Sequence, residues 1–188
     1  EEAFAYLQDY CVQWYICNGQ TDHLIETGID LYKLPLQEKK DILCSCIYGI
    51  DIDIHAVEVA KFSLLIKLIE DETAPSVSEV VPILPDLGDN IQFGNSLVSQ
   101  TELNGISGAN RQMMEIAPFD WSTINNGCGF DVIIGNPPYV NTEGMHALLP
   151  SAEVEVYKKK YKTSHKQFDK YFIFIEQAIN KLSLIHIS

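Results

Sequence analysis

The stretch that decides the fold runs from Phe130 to Val140 and reads FDVIIGNPPYV. Its β-branched run, residues 132–134, is apolar throughout and predicts a strand of a parallel sheet that is buried on both faces. Gly135 ends this strand, and the two prolines that follow cannot continue a strand ladder. We therefore predict a stiff loop at the carboxyl end of a strand, where open α/β sheets bind their ligands.

Helical and strand periodicities alternate around this strand. They predict helices over residues 1–18, 35–45, 53–70 and 168–181, and strands over residues 47–51 and 91–93. The inner stripe of the last helix is expected to hold Phe168, Tyr171, Phe172, Ile175 and Ile179. This alternation predicts an α/β fold with a doubly wound parallel sheet.

The remaining segments carry turn-forming or polar residues, and we expect them to be irregular. They are loops over 19–34 and 71–90, an irregular insertion over 97–129, and a polar, basic loop region over 141–167 with one helical turn near 151–158.

The composition predicts one globular domain with a substantial core, since 46% of the 188 residues are hydrophobic and 21% are charged. The five cysteines form no Cys-x-x-Cys pair, so we predict reduced thiols and no metal site. No apolar run reaches membrane-spanning length and no signal peptide is recognisable. We therefore expect a cytoplasmic protein without a membrane partner.

The net charge of −13 is unevenly distributed along the chain. Residues 158–170 hold six Lys and one Asp, whereas residues 1–157 are strongly acidic. An acidic surface repels nucleic acid. Contacts with phosphates are therefore expected only at the basic segment, through Lys158, Lys159, Lys160, Lys162 and Lys166.

Two of the predicted strands end in residues that suit a nucleoside ligand. Asp51 closes the strand at 47–51, where a carboxylate can accept hydrogen bonds from both hydroxyls of a ribose. Asp53 opens the next helix and is predicted to be its N-cap. Asn95 follows Gly94 at the end of the next strand, and its amide suits either the edge of a purine or an Asx turn.

The loop Asn136-Pro137-Pro138-Tyr139 suits attack by an exocyclic amine on an electrophilic carbon. Such an amine is a poor nucleophile, because its lone pair is conjugated with the ring. Two acceptors, Asn136 Oδ1 and the Pro137 carbonyl, would take its two hydrogens and free the lone pair. The Tyr139 ring would stack on the planar base and hold it at reacting distance. The alternative is an ordinary Asn-Pro turn that carries a surface tyrosine.

Three blocks in this order resemble the gamma-class N6-adenine DNA methyltransferases, in particular the type IIG restriction–modification enzymes and related phage-defence methylases. The blocks are YGIDIDIHAVEVAK at residues 48–61, GNSL at 94–97 and DVIIGNPPYV at 131–140. The resemblance implies a Rossmann-like fold that uses S-adenosylmethionine. It further implies that double-stranded DNA with a flipped adenine is the substrate, and that restriction or defence subunits are partners.

The resemblance also implies a role for each matching residue. Asp51 would bind the ribose hydroxyls of S-adenosylmethionine, and Asn95 would bond the adenine of the cofactor with the Ser96 N–H beside it. At the target base, Asn136 and Pro137 would bind the adenine amine while Tyr139 stacks on the ring, in the loop that Pro138 completes. The five lysines of the basic segment would lie near DNA.

The sequence departs from this family in ways that predict an incomplete domain. The Gly-rich cofactor loop of the family is absent before Glu1, and Ile54 stands where the family has Pro. We expect a partial methyltransferase catalytic domain over 1–181, followed by an atypical, foreign tail over 182–188. Without the first strand, the strands at 47–51 and 131–134 should border a gap or pair in a way foreign to the family. The fragment by itself is expected to be inactive and prone to aggregation.

Two other functions fit the same motifs. The Asn-Pro-Pro-Tyr loop also serves methylation of glutamine in translation release factors, although those enzymes are compact and lack the insertion at 97–129 and the lysine-rich loop. The chain could instead be a non-catalytic α/β module of a restriction or defence complex.

Overall fold

The computed structural model describes residues 1–73 and 80–183. The chain divides into two compact units. The first comprises residues 1–49 and 54–92, and the second comprises residues 50–53 and the chain from Phe93 onward.

The first unit is mainly helical. It contains α1 (Glu2–Cys17), a hairpin of β1 (Ile25–Gly28) and β2 (Leu31–Lys33), α2 (Leu36–Cys46) and α3 (Ile54–Ile69). Helix α1 ends before Gly19, whose φ of +67° suits a helix stop. Among the described residues, the core of the unit includes Phe4, Leu36, Leu43, Val57, Leu64, Leu68, Val80, Leu87 and Ile91. The three helices predicted for this region are confirmed within two residues at each end.

The hairpin corrects the loop predicted over residues 19–34. Ile25 pairs with Lys33 and Glu26 with Tyr32 in antiparallel register. Asp30, in the turn, has a φ of +55°, a left-handed conformation that Asp tolerates better than most residues. The turn lacks the Asn-Gly or Asp-Gly pair that is typical of two-residue hairpin loops, so the sequence did not predict it.

Strands β3 (Gly49–Asp51) and β4 (Ile91–Phe93) pair with each other, which confirms both predicted strands. The Gly49 N–H donates to the Asn90 carbonyl over 2.9 Å, and the Gly94 N–H donates to the Asp51 carbonyl over 2.8 Å. The two bonds advance in the same direction along both strands, so the pair is parallel.

The second unit is built from short helices around one apolar core. They are α4 (Gln100–Leu103), α5 (Ala109–Ile116), α6 (Thr142–Leu148), α7 (Ser151–Lys160) and α8 (Lys170–Lys181). A capping box at Ser99 and Glu102 starts α4, and the side chains of Asn141 and Asp169 cap α6 and α8. The core includes Leu97, Leu103, Ile106, Ile116, Met145, Val154, Val156, Tyr157, Phe168 and Ile173.

These helices correct two of the predicted irregular segments, although α7 lies where the sequence predicted a helical turn near 151–158. The insertion at 97–129 contains α4 and α5, and the basic region at 141–167 contains α6 and α7. Both segments supply core residues, among them Ile116 and Tyr157, which are fully buried. Frequent Gly, Asn and Lys residues in these segments favoured the prediction of loops. The helices are also too short to display a long apolar repeat in the sequence.

The run Val132-Ile133-Ile134 is not the buried parallel strand that its composition predicts. The three side chains are 72%, 37% and 80% exposed, and among the described residues no strand lies beside them. Phe130 instead forms a single bridge with Leu182, since its N–H donates to the Lys181 carbonyl over 2.9 Å. The sheets of the described chain are limited to two pairs of strands, so a complete Rossmann-like sheet is not observed. That the chain lacks a strand of a larger sheet stays a prediction.

Helix α8 buries a different face from the predicted stripe. Phe172, Ile175 and Ile179 are 52%, 39% and 61% exposed, whereas Lys170, Ile173 and Gln177 are buried. The buried polar side chains have hydrogen-bond partners in the core, which explains why this face can be buried. None of the helices in residues 1–73 and 80–183 has the length and hydropathy needed to cross a membrane.

Candidate functional site

Asp51 lies at the end of β3 and is exposed. Its Oδ1 accepts a hydrogen bond from the Asp53 N–H over 2.8 Å, which forms a turn at the start of α3. Asp53 directly precedes the first helical residue, Ile54, as expected for an N-cap. The Asp51 carboxylate is thus oriented by the backbone and remains accessible at the end of a strand.

Asn95 lies two residues beyond β4, and the Gly94 before it contacts the end of β3. Its neighbour Gly94 has a φ of +157°, and a Cβ added there would lie 2.9 Å from Cδ2 of Phe119. Only glycine therefore fits between the strand end and the phenylalanine ring. The Gly94 N–H bond to the Asp51 carbonyl joins the two strand ends.

The side chain of Asn95 is buried rather than offered to a ligand, being 4% exposed. Its Oδ1 accepts the Leu97 N–H over 3.1 Å, and its Nδ2 donates to Glu153 Oε1 over 3.0 Å. The Asx turn that the sequence left open as an alternative is therefore formed. The neighbouring Ser96 carbonyl accepts bonds from Trp121 Nε1 at 2.9 Å and Gln177 Nε2 at 3.1 Å.

Glu153 is the centre of a buried polar cluster that the sequence did not reveal. It is 2% exposed, and besides Asn95 its Oε1 accepts bonds from the Tyr157 hydroxyl and from Lys170 Nζ, the latter over 3.3 Å. Burial raises the pKa of Tyr157, and the adjacent Glu153 charge raises it further. Tyr157 is therefore a neutral donor to the carboxylate. Lys170 begins a helix that also contains Glu176 and Lys181, so its polarity gave no signal in the sequence that it would be buried.

The Asn136–Tyr139 loop is largely open to solvent. Asn136 and Pro138 are exposed, Pro137 is half-buried, and the Tyr139 side chain is 79% exposed. The Tyr139 ring stacks on Tyr171, with centroids 5.4 Å apart and an interplanar angle of 10°. An amide and an aromatic ring are thus presented on a proline-rich loop, although the residues before it, 132–134, do not form the buried strand that was predicted.

The end of this loop is tied to the start of α8. The Lys170 N–H donates to the Val140 carbonyl over 2.8 Å, and Asn141 forms an antiparallel bridge with Asp169. Thr142 Oγ1 accepts the Phe168 N–H and donates to the Phe168 carbonyl, both over 2.8 Å. Lys170 therefore touches both halves of the predicted site, through Val140 on one side and through Glu153 to Asn95 on the other.

The predicted DNA-contacting lysines have different environments. Lys160 binds other residues of the protein, with Nζ 2.9 Å from Glu102 Oε1 and 3.0 Å from the Leu97 carbonyl. Lys159 pairs with Glu155 over 2.6 Å, and Lys158 Nζ lies 3.1 Å from Nε2 of His146. Lys162 and Lys166 are exposed.

The described residues hold no group of His, Cys, Asp and Glu side chains that could bind a metal ion.

Comparisons with known proteins agree with these motifs. The family model of the Eco57I restriction-modification methylase matches residues 45–185. The type II restriction enzyme and methyltransferase RM.Eco57I of Escherichia coli is 45% identical over 181 residues, which are 96% of this chain and 17% of the relative. The type II methyltransferase M.PaeR7I of Pseudomonas aeruginosa is 39% identical over 54 residues, 29% of this chain and 9% of the relative.

A putative type II restriction enzyme and methyltransferase, RM.MjaORFECS2P of Methanocaldococcus jannaschii, is 37% identical over 82 residues, 44% of this chain and 7% of the relative. The chain spans less than a fifth of the length of each of these relatives. No solved structure gives a significant match. Because the family model covers well over half of the sequence, the chain belongs to the Eco57I restriction-modification methylase family.

Proposed function

We propose that the chain is part of the catalytic domain of a DNA methyltransferase, which transfers a methyl group from S-adenosylmethionine to N6 of adenine in double-stranded DNA. We place the parent protein in a restriction–modification or defence system, with further subunits or domains of that system as partners. The observation that carries the proposal is the exposed Asn136–Tyr139 loop in a chain of this family.

At the target base, two acceptors on this loop take the hydrogens of the exocyclic amine. By accepting these hydrogens, Asn136 Oδ1 and the Pro137 carbonyl release the nitrogen lone pair from conjugation with the ring. No strong base is required, because the amine proton becomes acidic once the methyl group has been received. Tyr139 stacks on the base that has left the duplex, a step for which stacking supplies roughly 1–3 kcal/mol per base.

On the cofactor side, Asp51 fits its predicted role better than Asn95 does. S-adenosylmethionine supplies the electrophilic methyl group, and its ribose has the two hydroxyls that an exposed carboxylate at a strand end can accept. The Asn95 amide has partners for both its oxygen and its nitrogen. We propose that Asn95 shapes the loop after β4, and that Ser96, held through its carbonyl, contributes its backbone N–H.

The test is expression of the complete gene that contains this chain in a host that lacks DNA methylases. Long-read sequencing of the host DNA should reveal N6-methyladenine at one sequence motif. The N136A variant should lose about 100-fold or more of this activity, comparable to the loss of one preorganised polar group at a transition state.

N110A is the matched control, because Asn110 is an exposed asparagine on α5. It should methylate like the wild type. Methylation of a release-factor glutamine without methylated DNA would favour the glutamine enzymes, and binding to other restriction subunits without any methyl transfer would favour a non-catalytic module.

A further inference from the structure

One face of the Tyr139 ring lies against a neighbouring ring, and the other face is open to solvent. Tyr171 lies almost parallel to it, with ring centroids 5.4 Å apart. Tyr139 is nevertheless 79% exposed, so the face away from Tyr171 is open to solvent. The open face of Tyr139 is therefore an aromatic surface, and Tyr171 supports the ring on its other face.

Tyr171 is itself held in place by the start of α8. Its N–H donates to Asp169 Oδ1 over 2.9 Å, and the Phe172 ring packs edge-on against it at a centroid distance of 5.9 Å. The neighbouring bond from the Lys170 N–H to the Val140 carbonyl ties the same turn to the residue after Tyr139. The two rings are thus linked through the backbone as well as through their faces.

We propose that Tyr171 is a positioning residue for the target base, an inference that rests on the proposed function. It holds the Tyr139 ring so that the base stacks on the opposite face, which makes a stack of three layers. A free tyrosine side chain would lose rotamer entropy when it stacks on a base, whereas a ring already held in place has lost that entropy in advance. Tyr171 therefore acts on binding of the base through Tyr139 and touches neither the cofactor nor the reacting atoms.

The first experiment compares steady-state methylation by the complete gene product and its Y171A, Y171F and I179A variants. The substrate is duplex DNA carrying the motif found by sequencing. We expect Y171A to raise the KM for DNA about three- to tenfold, the range expected for an aromatic pair, and to leave the KM for S-adenosylmethionine unchanged. Y171F keeps the ring and should resemble the wild type. I179A is the control, since Ile179 is an exposed residue of the same helix.

The second experiment is a double-mutant cycle with Y139A. If Tyr171 acts through Tyr139, then Y171A should cause no further loss in the Y139A background. Additive losses, or a Y171A enzyme with the KM for DNA of the wild type, would overturn the proposal. A joint rise in the KM for DNA and for S-adenosylmethionine, with a lower melting temperature, would make Tyr171 a structural residue and overturn it as well.

The experiments distinguish failure of the proposed function from failure of the inference about Tyr171. If the proposed function fails, the wild-type protein itself methylates no DNA, and the inference about Tyr171 falls with it. Failure of the inference alone leaves the wild type active and Y171A unchanged.

Discussion

Asn95 and Glu153 are joined by a buried hydrogen bond of 3.0 Å between Nδ2 and Oε1. The bond connects the loop after β4 with helix α7, 58 residues later in the chain. Lys170 supplies the positive charge that a carboxylate exposed by only 2% requires, with Nζ 3.3 Å from the same oxygen. The conformation of the loop that carries the predicted cofactor residues therefore depends on a charge pair inside the helical core.

Removal of the Glu153 charge should destabilise the second unit. In E153Q the Lys170 ammonium stays buried without its counter-ion, and breaking such a pair costs about 3–5 kcal/mol. We expect a correspondingly lower free energy of unfolding, measured by urea denaturation. E155Q is the matched control, because Glu155 lies on the same helix in an exposed pair with Lys159 and should change the free energy by less than about 1 kcal/mol.

Glu176 should make the stability depend on pH. Burial pushes the pKa of its carboxyl group upward, but N–H donors of Thr163 and Lys162, both at 2.9 Å, outweigh burial and hold the pKa below its ordinary value. Because the folded-state pKa is lowered, the carboxylate stabilises the protein above the ordinary glutamate pKa of 4.5, and this stabilisation is lost as the pH falls below it.

E176Q should therefore be less stable than the wild type at pH 7. The difference in urea midpoint between the two proteins should stay constant from pH 7 to about 5 and shrink as the pH is lowered further towards 3. E115Q, at an exposed position on α5, serves as the control and should show no such trend. A difference between E176Q and wild type that stays constant over this pH range would contradict the assignment.

The sequence predicted the elements whose formation depends on local signals. Helices α1 and α3 and strands β3 and β4 follow from periodicity and from stop residues such as Gly19. The close approach of the strand ends at Asp51 and Asn95 follows from parallel pairing, which brings the carboxyl ends of strands to one edge.

Other features depend on neighbours that a sequence does not display. Val132 to Ile134 have the composition of a buried strand, but a strand forms only where another backbone offers hydrogen bonds. Helix α8 has apolar residues on two faces, and the polar partners of Lys170 and Gln177 decide which face is buried. The sequence allowed two roles for the Asn95 side chain, and only the position of Glu153 shows which contact its amide makes.

The exposed lysines should contribute to DNA binding, whereas Lys160 should contribute to stability. The double variant K162Q/K166Q of the complete gene product removes two cations that are exposed to solvent. If both contact phosphates, the slope of log affinity against log salt should fall in magnitude by about 2, measured with duplex DNA of arbitrary sequence.

K67Q is the matched control, since Lys67 is a partly exposed lysine of the first unit that pairs with Glu70. It should leave the salt slope unchanged. K160Q should instead lower the free energy of unfolding, because Lys160 bonds Glu102 and the Leu97 carbonyl. A salt slope that is the same for K162Q/K166Q and wild type would place the DNA contacts elsewhere.

The apolar strip on α8 should make the 188-residue chain self-associate when it is produced alone. Phe172, Ile175 and Ile179 recur at three- and four-residue steps and are each more than a third exposed, which gives one continuous apolar surface. Burial of such a surface between two chains is favourable by roughly 25 cal/mol per Å² of apolar area. Static light scattering should therefore report species larger than a monomer, with a mean mass that rises with concentration.

The variant I175K/I179K should shift this distribution towards the monomer and keep the helical circular dichroism signal, because both positions face solvent and cations suit the last turns of a helix. I173K provides the contrast, since Ile173 is fully buried and a lysine there should unfold the second unit. A wild-type chain that stays monomeric at high concentration would show that the strip is too small to drive association.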